Sequence, residues 1–225
     1  SRAGEPSSVN ASLFEPLTLR ETTIPNRVMV SPMCQYSCDD RDGLATDWHH
    51  VHLGSRAVGG AGVVIAEATA VEPRGRISPE DLGIWSQEHA DALAPTAEFI
   101  KAQGSVPAIQ LAHAGRKAST RRPWEDGPRL VKEDEGGWTP RGPTEEPYPR
   151  DEENTAPTER MDEDDIDDVI DAFVRGAEYA LDAGFEFGAR GLAVAADREA
   201  ETVRRVDAVA VDEVSTYSAT VSGSG

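Results

Sequence analysis

The feature that most restricts this chain is a rhythm in which short apolar runs, rich in β-branched residues, alternate with segments of helical periodicity. Val28-Met-Val30 leads into Ser31-Pro-Met-Cys34, while Gly62 to Val71 and Val106 to Ala112 have the character of strands buried on both faces. Asp47 to Val58 predicts a helix stopped by Gly59-Gly60. Glu88 to Gln103 predicts another, with Leu93, Ala97 and Ile100 on one face and Gly104 as its stop. Pro95 falls inside that second pattern and predicts a kink or a later start. The clearest helix is Asp162 to Ala183, where Ile166, Val169, Ile170, Phe173, Val174, Ala177 and Leu181 line one stripe. Acids fill its first turn, Gly184 follows its end, and Phe185-Glu-Phe187 then opens a fourth strand. Such an order requires parallel strands with right-handed crossovers, which a barrel or a doubly wound sheet satisfies equally.

Two stretches break the rhythm. Residues 116–160 hold seven prolines and many charges and read as one long excursion after the third strand, the kind of segment that forms a lid or stays disordered. Leu13 to Asn26 predicts a short hairpin before the first strand, and residues 1–12 a flexible start.

Composition narrows the partners. A chain of 225 residues suits one core. Its net charge is −19, with 41 acids against 22 bases, and the only lysines are Lys101, Lys117 and Lys132. Nucleic acid is excluded, because phosphates need clustered cations. The acids are spread over every segment, which predicts a solubility device and a halophilic setting where salt screens self-repulsion. A stable fold in dilute buffer would count against that expectation. No apolar run reaches the length of a membrane span, and Ser-Arg-Ala-Gly-Glu-Pro lacks a signal pattern. Two cysteines, Cys34 and Cys38, exclude a disulfide framework. A soluble, cytoplasmic protein is expected.

In parallel β/α folds the active site gathers at the carboxyl ends of the strands. Those ends carry Ser31, Pro32, Met33, Cys34 and Tyr36, then Glu67, Ala68 and Thr69, then Gln110 and His113. A thiol, a phenol, an amide and a hydroxyl suit a flat, hydrogen-bonding heterocycle better than a metal. The first strand is followed by no Gly-rich phosphate loop, which weakens a dinucleotide-binding reading. Cys38 has no further thiols for a cluster and reads as structural. Of His49, His50 and His52 only the first and last share a helix face, and no metal is expected there. His113 and Arg116 read as braces of the loop after the third strand. Glu67 is a carboxylate at a strand end with no legible partner. Taken singly, Cys34 also reads as inert core, Tyr36 as a packed aromatic and Gln110 as a partner for neighbouring backbone.

The motifs together resemble the Old Yellow Enzymes, in their thermophilic-like branch. They are Leu13-Phe-Glu-Pro-Leu, Asn26-Arg-Val, Ser31-Pro-Met-Cys-Gln-Tyr36, Gly75-Arg-Ile, Asp81-Leu-Gly-Ile-Trp85 and Ile109-Gln-Leu-Ala-His-Ala-Gly-Arg-Lys117. Arg122-Pro-Trp-Glu125 and Gly136-Gly-Trp138 look like the xenobiotic reductases of that branch. The resemblance covers residues 13–187. It implies an α/β fold, a (β/α)8 TIM barrel of which this chain carries roughly the first four units after an N-terminal hairpin. It implies non-covalent FMN, with NADH or NADPH as hydride donor and an activated alkene, such as an enone, as acceptor. By the same resemblance Ser31, Pro32, Met33 and Cys34 line the flavin, Cys34 beside its reactive edge. Tyr36 bonds substrate, Ala68 packs on the ring system and Gln110 bonds its pyrimidine edge.

After Phe187 the resemblance stops. The family pattern continues into a His-x-x-His or His-x-x-Asn pair that grips the substrate carbonyl, whereas Gly188-Ala-Arg-Gly-Leu192 carries Arg190 where a histidine would stand. Residues 188–225 read as a divergent, partly disordered tail in which Val206 to Asp212 alternates like a strand and Ser222 to Gly225 frays. The alternative expectation is therefore a truncated or frameshifted remnant, or an interaction module without flavin turnover. A homo-oligomer that completes the missing half belongs to the first reading.

Overall fold

The computed structural model describes residues 12–19, 22–149 and 156–192, the last six by their backbone. The expected flexible start, except Ser12, and the expected tail beyond Leu192, with its strand at Val206–Asp212 and its frayed end, lie outside the described residues.

Four strands form one parallel sheet, lying side by side in chain order. They are β3 (Met29–Val30), β4 (Val63–Ala70), β5 (Val106–His113) and β8 (Phe187–Leu192). Helices α1 (Asp47–Val58), α2 (Gln87–Ala102) and α3 (Glu163–Asp182) fill the crossovers. The architecture is mixed α/β, and among the described residues the sheet is open, with β3 and β8 at its edges.

Both faces of the central strands are apolar, for different reasons. Val64, Ala66, Ile109 and Leu111 pack with Leu53 and Ala57 of α1, Leu93, Ala97 and Ile100 of α2, and Val169, Phe173 and Ala180 of α3. Val63, Val106 and Ala108 turn the other way and meet Ile24 of the hairpin. That hairpin pairs β1 (Leu17–Leu19) with β2 (Thr22–Ile24) in antiparallel register, Leu17 opposite Ile24. It packs against the first residues of β4 and β5 and so covers the amino ends of the strands. The carboxyl ends are left for a site.

The helices form where the periodicity places them. At the start of α3 the Asp162 carboxylate accepts the Asp165 N–H at 2.9 Å, and the Asp165 carboxylate accepts the Asp162 N–H at 3.1 Å. Gly184, at φ +94°, turns the chain out of α3 toward β8. Inside α3, a Cβ on Gly176 would stand 2.8 Å from Val71 Cγ1; glycine lets the helix approach the end of β4. No later start occurs at Pro95, because α2 begins at Gln87 and runs through it. Buried His89, Ala90 and Leu93 secure the turns before the proline, and Ser86 Oγ bonds His89 Nδ1 at 2.6 Å.

The excursion after β5 is folded onto the body where it is described. Short strands β6 (Arg141–Gly142) and β7 (Glu159–Arg160) pair in parallel within it. Arg76 is held between two indoles, its guanidinium 5.4 Å from the Trp85 ring and 5.2 Å from the Trp138 ring. Among the described residues no helix is long and apolar enough to cross a membrane.

Candidate active site

The loop after β3 supplies Ser31, Pro32, Met33, Cys34 and Tyr36, and the ends of β4 and β5 supply Ala68 and Gln110. Ala68 and Gln110 are direct register partners on adjacent strands, and both are partly exposed. The Ala68 backbone lies close enough to the Cys34 sulfur to favour its ionised form. The Gln110 amide has no hydrogen-bond partner among the described residues. Cys34, Ala68 and Gln110 thus adjoin one another, and Tyr36 lies near enough to Cys34 for their charges to interact. Ser31 and Met33 are exposed and Pro32 half-buried on the same loop. Among the described residues no hydrogen bond ties Ser31 or Pro32 to the others.

Electrostatics fixes the protonation of this group. Burial, with the Asp81 and Glu67 charges adding to it, pushes the Cys34 thiol up to about 12. Burial and the nearby Cys34 and Asp81 charges push the Tyr36 phenol up to about 12. Near neutrality both hold their protons, so each can donate a hydrogen bond. Cys38 is buried and donates its thiol to the Leu44 carbonyl at 3.1 Å, a structural contact.

Three further residues join the site. Glu67, left without a partner by its sequence context, accepts the Gln35 N–H at 2.9 Å. Burial pushes its carboxyl up to about 8. His49 Nε2 lies 3.7 Å from the other Glu67 oxygen, and burial lowers that imidazole to about 4; the contact joins a carboxyl group to a neutral ring. Trp124, 63% exposed, meets Tyr36 edge-to-face with ring centroids 5.5 Å apart. The signal for Glu67 was a lone acid in an apolar run. Trp124 had only its place in the Arg122-Pro-Trp-Glu125 motif, and His49 was read only as a helix residue where no metal is expected.

The remaining histidines are structural. His113 Nε2 bonds Glu72 at 2.8 Å and its Nδ1 accepts the Gly115 N–H at 3.1 Å. Arg116 donates to the Glu146 carbonyl at 3.1 Å, so both residues brace the chain after β5. His50 Nδ1 shares a hydrogen bond with Thr96 Oγ1 at 3.2 Å, and His52 stacks near Trp48.

Parallel strands backed by helices, sealed at one end by a hairpin and carrying an amide, a thiol and a phenol at the other, define a β/α protein with its candidate site at the carboxyl ends of the strands. This chain belongs to the NADH:flavin oxidoreductase / NADH oxidase family, whose model matches residues 12–187. It is 44% identical over 174 residues to an NADPH dehydrogenase of Geobacillus sp. (strain WCH70), covering 77% of this chain and 46% of that relative. An NADPH dehydrogenase of Bacillus licheniformis is 45% identical over 177 residues, covering 79% and 47%. The chain therefore spans about half the length of the relatives it matches. The old yellow enzyme homologue from Zymomonas mobilis superposes with a TM-score of 0.64 at 26% identity, over 80% of this chain and 48% of that one. Morphinone reductase, at 24% identity and a TM-score of 0.65, shares the fold over 82% of this chain and 49% of its own.

Proposed function

We propose that this chain is the flavin-site half of an NAD(P)H-dependent ene-reductase, with FMN as its cofactor and an activated alkene as its substrate. Its open sheet is read as an arc of a (β/α)8 barrel, roughly the first four units. The observation that carries the reading is the adjacency of Cys34, Ala68 and Gln110 at the carboxyl ends of the strands.

The residues fit the cofactor. Ala68 presents only a methyl group, which lets a planar ring lie against the strand end. Gln110 offers both a donor and an acceptor to the edge of a pyrimidine, and its amide is uncommitted among the described residues. Ser31, Pro32 and Met33 belong to the wall of the same cleft. FMN, when bound, would supply the redox chemistry of hydride transfer between NADH or NADPH and the alkene. The Cys34 thiol, protonated at neutral pH, would serve as a polarisable donor toward the bound flavin. The Tyr36 phenol donates a hydrogen bond to the substrate's activating oxygen. Trp124 walls the approach to Tyr36 and favours flat, apolar substrates. Nothing in this set distinguishes NADH from NADPH.

The test is an FMN titration of the purified chain in molar salt, read by flavin fluorescence. Saturable binding in the micromolar range, about −8 kcal/mol, is expected, and Cys34→Ala should then shift the flavin potential. No binding by the folded chain would overturn the reading for this chain and leave the remnant or interaction module in its place.

A further inference from the structure

Glu67 is the odd residue of β4. The other seven residues of that strand are valine, isoleucine, alanine or threonine. The ladder to β5 slips between Ala66 and Ala68, which leaves Glu67 at a bulge. A bulge takes one residue out of the pleat and re-aims its side chain. Here it turns a carboxyl group, in a residue only 3% exposed, onto the loop after β3. One oxygen accepts the Gln35 N–H at 2.9 Å, and the neighbouring Tyr36 backbone lies close enough to favour the ionised carboxyl.

Two further observations converge on the same atom group. Tyr36 stands at φ +52°, a backbone state that a side chain of its size keeps only when its surroundings hold it there. His49 Nε2 is buried without a hydrogen-bond partner and lies 3.7 Å from the second Glu67 oxygen. Its Nδ1 accepts the Thr46 N–H at 3.0 Å, so the ring proton sits on Nε2 and faces the carboxyl group. The carboxyl group is thereby held between a helix and the loop that carries the thiol and the phenol.

We propose that Glu67 is a positioning residue of the site. By gripping the backbone of Gln35, the residue between Cys34 and Tyr36, it sets where the Cys34 sulfur and the Tyr36 phenol stand, with His49 as its backstop. The inference rests on the reading that Cys34 and Tyr36 are the working pair.

Glu67 also acts on Cys34 through its charge, so the test must separate the two effects. Glu67→Gln and Glu67→Met are both neutral and near in size; only the first keeps an acceptor oxygen. The readout is alkylation of Cys34 by iodoacetamide in the full chain, resolved by peptide mass, with buried Cys38 as internal control. In Glu67→Met, Cys34 should react about tenfold faster than in Glu67→Gln, the opening released by one lost hydrogen bond, with Cys38 unchanged. Equal Cys34 rates in the two variants would overturn the proposal and leave charge as the only link. Should Cys38 open as well, the Met variant has lost its fold, and hydrogen exchange at the Gln35 amide decides instead. Slow exchange in the unsubstituted chain and in Glu67→Gln supports the grip; exchange at the rate of an open loop in the unsubstituted chain refutes it. Neither readout needs flavin, so a failed FMN titration and a failed grip are told apart.

Discussion

The sheet body, β4 and β5 with α1 to α3, and the excursion that follows β5 meet at Tyr36 but are held by different forces. In the body Val64, Leu93, Ile100 and Ile109 are fully buried, and stability there comes from apolar area withdrawn from water. The excursion adds ion pairs to its buried contacts and backbone hydrogen bonds. Arg122 reaches Asp39 and Glu125 at 2.8 Å each, Arg121 reaches Glu135 at 2.7 Å, and Lys117 lies 5.0 Å from the Tyr148 ring. Salt weakens contacts of the second kind and leaves the first nearly untouched. The candidate site straddles the boundary, with Ala68 and Gln110 on the body and Tyr36 facing Trp124 of the excursion. A rigid floor and a salt-responsive wall is what that division implies.

The largest effect should come from breaking the body. Leu93→Ala removes a fully buried side chain from the helix-side core and should lower unfolding free energy by about 2–5 kcal/mol. Urea denaturation in molar salt measures it. A loss below about 1 kcal/mol would mean that the body is not the stable half.

Next in size is a titration within the body. Glu67 titrates near 8 in the folded chain against an ordinary 4.5. Between those values the folded state keeps a proton that the unfolded chain has released. The contribution of this group to stability is therefore full below 4.5, falls as pH rises, and is lost above about 8. Glutamine has no such proton. Glu67→Gln should match the parent near pH 4.5 and exceed it by on the order of a few kcal/mol at pH 8.5. A difference that stays flat with pH would show that the carboxyl group is ionised throughout.

How much of this could be read in advance follows the same division. The body was legible because its forces are periodic: the α3 stripe and its flanking Asp162 and Gly184 mark that helix to within a residue, and α1 spans Asp47–Val58 as expected. Cys34, Ala68 and Gln110 were legible as strand-end residues. The partner of Glu67 was not, because the Gln35 N–H lies 32 residues away and the bulge that aims the carboxyl group leaves no trace in residue type. The left-handed backbone at Tyr36 was hidden too, since tyrosine does not announce it as glycine would. In the excursion nothing is periodic. Arg122 binds Asp39 across 83 positions, and such pairs follow from the fold.

The smallest effect should come from the charged wall, and it should be local. Arg122 ties the excursion to the loop after β3 through Asp39, a residue whose side chain is 80% exposed, and through the Tyr36 carbonyl at 3.4 Å. Exposed pairs of this kind contribute about 0–1 kcal/mol, so Arg122→Ala should leave the urea midpoint nearly unchanged. What it should change is the hold on Trp124. Limited chymotrypsin digestion at Trp124 in low salt should run several-fold faster in the variant, because an exposed tie lost locally raises the open population without unfolding the body. In molar salt the pairs are screened, and the parent's cleavage rate should rise toward that of the variant. Equal cleavage at low salt would show that the edge-to-face contact with Tyr36 holds Trp124 alone. A stability loss as large as that of Leu93→Ala would erase the distinction between body and wall.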